Sequence, residues 1–293
     1  MAHSRTWRPL EISPHAGAEP VPEGLVQYLD DLAEIADLAE LLAKEKAILF
    51  RGFGIDRAAA ETISTAVLAG GTALTPTDQR PRRTLPPLNA GDPIAPPVPR
   101  LLLFAEHATD GALMLTDCAA WFGSLDIAMR EAFADGIRYT ENLHDGLGPG
   151  RTWQDRFGTD VRKQVESRLD EDGVHWRWTS DGLRISYIRP VTALHPLTGE
   201  QVWLDRFGHW YPTAVEELPG DLVRADERPS SAQHADGTPI PAAELAHLAA
   251  RAKEATVDVP LRSGDLVLVD NVLLAHGRRP FGSRRRVFRA LSR

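Results

Sequence analysis

A histidine followed by a cluster of arginines is the feature of this chain best suited to chemistry. The stretch from Gly264 to Arg289, GDLVLVDNVLLAHGRRPFGSRRRVFR, places His276 ahead of Arg284, Arg285, Arg286 and Arg289. An imidazole titrates near neutrality, so it can serve as a general acid or base, or as a metal ligand. Guanidinium groups grip carboxylates through paired, charge-assisted hydrogen bonds. A histidine near a strand end that faces such a cluster is therefore a place where a barrel could hold a metal or an anion. The plainer alternative is a structural histidine beside a solvated basic edge. The elements that position these groups read from the same stretch. Leu266, Val267, Leu268 and Val269 form a short apolar run suited to a strand covered on both faces. Asp270-Asn271 breaks that run, Leu273 and Leu274 resume it, His276-Gly277 closes it, and the arginines open a last strand.

The pattern resembles the C-terminal core of the taurine dioxygenase (TauD/TfdA-like) family, iron(II)/2-oxoglutarate oxygenases built on a double-stranded β-helix. Phe50-Arg51-Gly52-Phe53-Gly54 is similar to an early strand and turn of that family, and residues 139–162 and 189–203 follow its order, so the likeness runs from about residue 47 to the C-terminus. It implies an α+β protein, a double-stranded β-helix (jelly-roll or cupin-like barrel) with flanking helices. A single domain over residues 1–293 is expected, with an N-terminal arm over 1–24. It also implies that His276 matches the distal iron-ligand histidine and that Arg286 matches the anchor for the 2-oxoglutarate carboxylate.

The rest of the family's site is not matched. Counting back without a gap from Pro99 and Phe104 puts the family's His-x-Asp/Glu pair on Asn89 and Gly91. The threonine that also holds 2-oxoglutarate falls on Leu113. Iron(II) and 2-oxoglutarate are cofactors in the family, yet here two of three metal ligands and one cofactor contact are replaced. One imidazole does not hold iron(II) against water, because the family's facial triad needs two histidines and a carboxylate. Asp92 lies an odd number of residues after Asn89, so a regular strand would turn it to the opposite face. It would enter the site, giving an Asn89/Asp92/His276 set, only if Gly91 and Pro93 bend the chain.

Composition bounds the rest. A net charge of -8 argues against a general nucleic-acid binder, and the C-terminal arginines suit a single small anion better. The one cysteine, Cys118, excludes an internal disulfide and fits a reducing compartment. The N-terminal residues lack the apolar stretch of a signal peptide, and no window has the length of a membrane span, so a cytoplasmic protein is expected.

Helices are expected over residues 25–45, 57–68, 119–133 and 241–255. Strands are expected over 47–50, 101–104 and 257–261, with a hairpin over 173–190 turning at Ser180-Asp181-Gly182. Residues 72–99 are rich in proline and arginine and read as an extended loop, which the resemblance places over the active site and which is otherwise a mobile connector, and 221–237 as a surface excursion. Asp205 and His209 lie in a region that the resemblance assigns to the substrate pocket.

Three functions follow. The first is a repurposed enzyme of specialised (natural-product) metabolism acting on a small carboxylated molecule without metal. There His276 is the acid or base, Arg286 and Arg289 hold an anionic group, and Asn89, Asp92, Asp205 and His209 line the pocket. The second is an iron oxygenase with unusual ligands. The third is a non-catalytic protein that binds a ligand or partner. They rank in that order.

Overall fold

The unbroken apolar runs form strands that serve two cores at once. In β5 (Arg100–His107) and β14 (Leu266–Asp270), paired antiparallel, Leu102, Phe104, Leu266 and Leu268 pack to one side, and Leu101, Leu103, Val267 and Val269 to the other. The first set lies under α1 (Asp37–Glu45) and α2 (Arg57–Val67), which contribute Leu38, Leu42, Ile63 and Val67. Asp56 starts α2 by accepting a hydrogen bond from the Ala59 backbone N–H at 2.8 Å. The computed structural model describes residues 8–13, 37–68, 70–77, 82, 84–146, 148, 150–206, 228–282 and 284–292.

The sheet built on these strands runs β1 (Leu10–Ile12), β2 (Ala47–Phe50), β14, β5, β16 (Arg286–Leu291), β3 (Thr75–Pro76). A second sheet runs β13 (Thr256–Pro260), β6 (Ala112–Asp117), β15 (Leu274–Arg278), β4 (Leu85–Leu88). Along the chain, β3 to β6 and β13 to β16 alternate between the two sheets, which is the winding of a double-stranded β-helix. Leu49, Leu103, Ala105, Leu113, Leu115, Val259 and Val287 are packed between them.

Between β6 and β13 the chain adds α3 (Cys118–Ser124), α4 (Ile127–Ala132), β7 (Ile137–His144), α5 (Trp153–Phe157), α6 (Arg162–Glu171), β8 (His175–Trp178), β9 (Gly182–Arg189), β10 (Thr192–Leu194), β11 (Gln201–Trp203), β12 (Ser230–His234) and α7 (Ala242–Glu254). Its sheet has the order β12-β7-β9-β8 and packs through Trp121, Phe133, Tyr139, Trp153 and Trp203.

Three expectations change. The helix foreseen over 119–133 is two helices, because Leu125 is extended and Asp126 caps a new start by accepting from the Met129 N–H at 2.8 Å. Residues 72–99 are not purely irregular: they contain β3 and β4. Pro86 and Pro87 are tolerated in β4 because it is an edge strand. Within 221–237, residues 230–234 form β12, paired with β7. Most of the N-terminal arm, residues 25–36 of the first expected helix, and His209 lie outside the described residues. No helix among the described residues is long and apolar enough to cross a membrane.

Candidate functional site

β15 carries His276 into the barrel. Its start is fixed by the Asp270-Asn271 turn. Asp270 Oδ1 accepts from the N–H groups of Val272 and Leu273, both at 2.9 Å, and Oδ2 takes the buried His195 Nε2 at 3.0 Å. His276 then sits in direct register with Leu115 of β6 on one side and Leu88 of β4 on the other. Leu113 and Leu115 belong to the core between the sheets, so their partners Arg278 and His276 face that interior. Gly277 between them permits the tight approach to β4, since a Cβ there would come within 2.6 Å of Leu85 O.

The register corrects the sequence alignment by one residue. Directly opposed residues on antiparallel strands bring their Cβ atoms within roughly 4.5–5.5 Å, and the residue of β4 directly opposite His276 is Leu88. Leu88 is hydrocarbon, and Ala90, two residues on, is a buried methyl at 1% exposure. Asn89 is turned towards the other side. Its Nδ2 donates to Asn271 O at 2.7 Å and to Leu274 O at 3.4 Å, and contacts Cys118, which packs with Ala275 on the side away from His276. Its Oδ1 accepts from the Asp205 N–H at 2.9 Å, and its own N–H donates to Asp205 O at 2.7 Å. Asn89 and Asp205 thus form a structural cross-link.

Asp92 is also committed. Arg156 donates to its two oxygens at 2.7 and 2.9 Å, and to those of Glu141 at 3.1 and 3.3 Å. Burial opposes the charge on Arg156, but Glu141 and Asp92 together raise its pKa above the usual arginine value. Other side chains pin the backbone of this loop. Arg206 donates to the carbonyls of Asp92 at 3.1 Å, Ala95 at 2.8 Å and Pro93 at 3.3 Å. Arg189 grips Ile94 O twice at 3.1 Å, and Asn271 holds Ala90 O at 2.9 Å and Val98 O at 2.8 Å. An Asn89/Asp92/His276 metal set is therefore not assembled. Among the described residues no group of three His, Cys, Asp or Glu side chains is placed to hold a metal ion. The donors that face the interior at His276 do not fit the family's iron.

The arginine cluster divides between the two sides of its sheet. A bulge between Arg286 and Val287 shifts the pairing of β16 with β5. Arg286 is turned outward: it is exposed, pairs with Glu106 at 2.9 Å, and lines a surface cleft with Asp56 and Arg57 of the α2 start. Arg285 is turned into the protein, buried at 7% exposure. Its guanidinium lies 5.7 Å from the Phe281 ring centroid, and that of Arg278, also buried, lies 4.4 Å from the same ring. Burial, then the nearby charge of Arg278, pulls the Arg285 pKa down to about 10, with Asp110 partly offsetting them.

Arg289 pairs in register with Leu103, so it stands on the inner face in line with Val287. It is exposed, yet the strand wall beside it strips enough water from the guanidinium to lower its pKa. Leu113, in the place of the family's threonine, lies opposite Arg278 and offers no hydroxyl. The polar groups that these strands turn to the inner side, among the described residues, include His276, Arg278, Arg285 and Arg289. Sequence reasoning passed over Arg278 and Leu88, although the period-two spacing of Arg278 from His276 was there to be read.

The chain belongs to the taurine dioxygenase family: the family model described as "Taurine catabolism dioxygenase TauD, TfdA family" matches residues 10–291. Among curated relatives, the dapdiamide synthesis protein DdaC of Enterobacter agglomerans is 28% identical over 316 aligned residues, covering 99% of this chain and 95% of that protein. A clavaminate synthase-like protein of Arabidopsis thaliana is 31% identical over 163 residues, covering 53% of this chain and 47% of its own. Among solved structures, the non-heme iron oxygenase OrfP, in complex with Fe, succinate and (3R,4R)-dihydroxy-L-Arg, superposes with a TM-score of 0.57 at 14% identity, covering 97% of this chain and 94% of that one. The PvcB protein from Pseudomonas aeruginosa superposes with a TM-score of 0.52 at 15% identity, covering 97% and 86%. These structural likenesses carry the jelly-roll fold.

Proposed function

We propose that this member of the oxygenase superfamily is a repurposed enzyme whose barrel processes a small carboxylated metabolite without iron. The observation that carries the reading is the direct pairing of His276 with Leu88. A hydrocarbon occupies the place from which a second metal ligand would reach the first. His276 then acts as general acid or base, moving a proton to or from a bound carboxylated molecule. Arg285 and Arg289 hold anionic groups of that molecule on the inner face, and the apolar wall of Leu88, Leu113 and Leu115 limits water around the imidazole. Isomerisation, elimination and cyclisation need only such proton movements and no external oxidant. The relationship to a dapdiamide synthesis protein supports a place in specialised metabolism.

Incubation with pools of carboxylated metabolites in deuterated buffer containing a chelator tests this reading. It predicts deuterium incorporation or product formation that survives the chelator and disappears in His276→Gln. Turnover that appears only when iron(II) and 2-oxoglutarate are supplied would return the chain to ordinary oxygenase chemistry.

A further inference from the structure

The outer side of the large sheet carries a cleft that the chemistry assigned to the barrel leaves unused. Its volume is about 740 Å³, within the roughly 300–1,000 Å³ that small-molecule sites occupy. Phe104 and Ile55 give it an apolar part, and both belong to the cluster packed with α1 and α2. His276 instead pairs with Leu115, which belongs to the core between the two sheets, so the cleft lies across the large sheet from that imidazole. Gly54 and Gly264 line the opening with φ of 63° and 85°, where a side chain would be strained. The cleft therefore keeps bare backbone beside its apolar part.

Charges of both signs converge on this opening. Arg286, its side chain 62% exposed, sets Nε 2.9 Å from Glu106 Oε2, and its Nη groups make no hydrogen bond among the described residues. Arg57 spends Nε on Glu61 at 2.8 Å and Nη2 on Leu74 O at 3.3 Å, which leaves Nη1. The N–H groups of Arg57 and Ala58, at the first two positions of α2, have no partner within the helix. On the acidic side stand Glu106 and Asp56, whose Oδ1 caps α2 at Ala59.

We propose that this cleft binds a small zwitterion, a free α-amino acid with an apolar side chain. The carboxylate goes between Arg286 and the start of α2, the ammonium to Glu106, and the side chain against Phe104 and Ile55. A lone anion would meet the two carboxylates, and a lone cation the two guanidiniums. A molecule that carries both charges on one carbon complements both sets. This is a second site, and it stands or falls independently of what the barrel does.

The test uses the full chain with L-leucine, isocaproate, which lacks the ammonium, and isoamylamine, which lacks the carboxylate, read by equilibrium dialysis. Leucine is expected to bind at least tenfold more tightly than either, since one charge-assisted contact is worth about tenfold or more. Arg286→Gln and Glu106→Gln should each remove that advantage. A second measurement needs no variant. In the backbone amide spectrum of the wild-type protein, leucine should shift Gly54 and Gly264 and leave Gly277, beside His276, unmoved. Isocaproate binding as tightly as leucine overturns the zwitterion site. Shifts at Gly277 without shifts at Gly54 and Gly264 put leucine in the barrel and overturn it too, as does the absence of saturable leucine binding.

Discussion

A leucine placed directly across a strand pair from His276 has a measurable consequence. Leu88→His would put a second imidazole beside the first, within the span that a metal ion bridges. The variant is expected to bind cobalt(II) or zinc(II) at least tenfold more tightly than the wild-type protein, read by calorimetry or the cobalt absorption. A folded variant with unchanged metal affinity would mean that His276 does not face Leu88 as described. Asn89→Ala tests the other half of the correction. The substitution leaves Asn271 O and the Asp205 N–H without a partner in a buried place, so it should cost about 1–3 kcal/mol for each group left unpaired. Urea denaturation measures this, and unchanged stability would argue against the structural role. His276 and Arg289 were named as candidates from the chain itself, and their strand pairing puts both on the side of the barrel core. The residue that faces His276 was not, since the proline-rich stretch of residues 93–99 has no period by which to count, and a slip of one residue exchanges the faces of a strand. Arg286 was named in place of Arg285, although period-two alternation from Val287 and Arg289 already puts Arg285 and not Arg286 on the inner side.

At the scale of elements, the loop from Ala90 to Val98 behaves as part of the frame. It is held by Arg206, Arg189, Arg156 and Asn271, whose donors reach successive carbonyls and the Asp92 carboxylate. Arg206→Met removes the donor to three of those carbonyls, and amide hydrogen exchange across residues 89–99 should quicken by tenfold or more. Exchange that stays at the wild-type rate would show that the remaining contacts are sufficient. Arg156→Met leaves the carboxylates of Asp92 and Glu141 facing each other, and breaking such a largely buried arrangement should cost about 3–5 kcal/mol. The strands at residues 47–50, 100–107, 256–260 and 266–270, the hairpin of β8 and β9, and the helices α1, α2 and α7 followed from apolar periodicity and turn chemistry. The break at Leu125-Asp126 did not, because Trp121, Leu125 and Met129 keep helical spacing across it while Asp126 starts a new helix with its side chain.

For the molecule as a whole, the segment inserted between β6 and β13 shares its packing with the barrel. In β11, Trp203 enters the aromatic core of the insertion, while Val202 packs with Leu273 and Ala275 beside the barrel. One cooperative unit is the expectation, so far-ultraviolet circular dichroism and tryptophan fluorescence should report the same denaturation midpoint. Separated midpoints would divide the chain into two units. The barrel then supplies two facing sheets whose inward-facing residues meet between them. Among the described residues, the groups turned to that side include His276, Arg278, Arg285 and Arg289, with leucines at the positions opposite His276 and Arg278.

The most direct test of that account is an anaerobic titration of the purified protein with iron(II) in the presence of 2-oxoglutarate, followed by the metal-to-ligand charge-transfer absorption. The account predicts no saturable band and no iron retained after desalting. A saturable band that disappears in His276→Ala would contradict it, and would require ligands from outside the described residues.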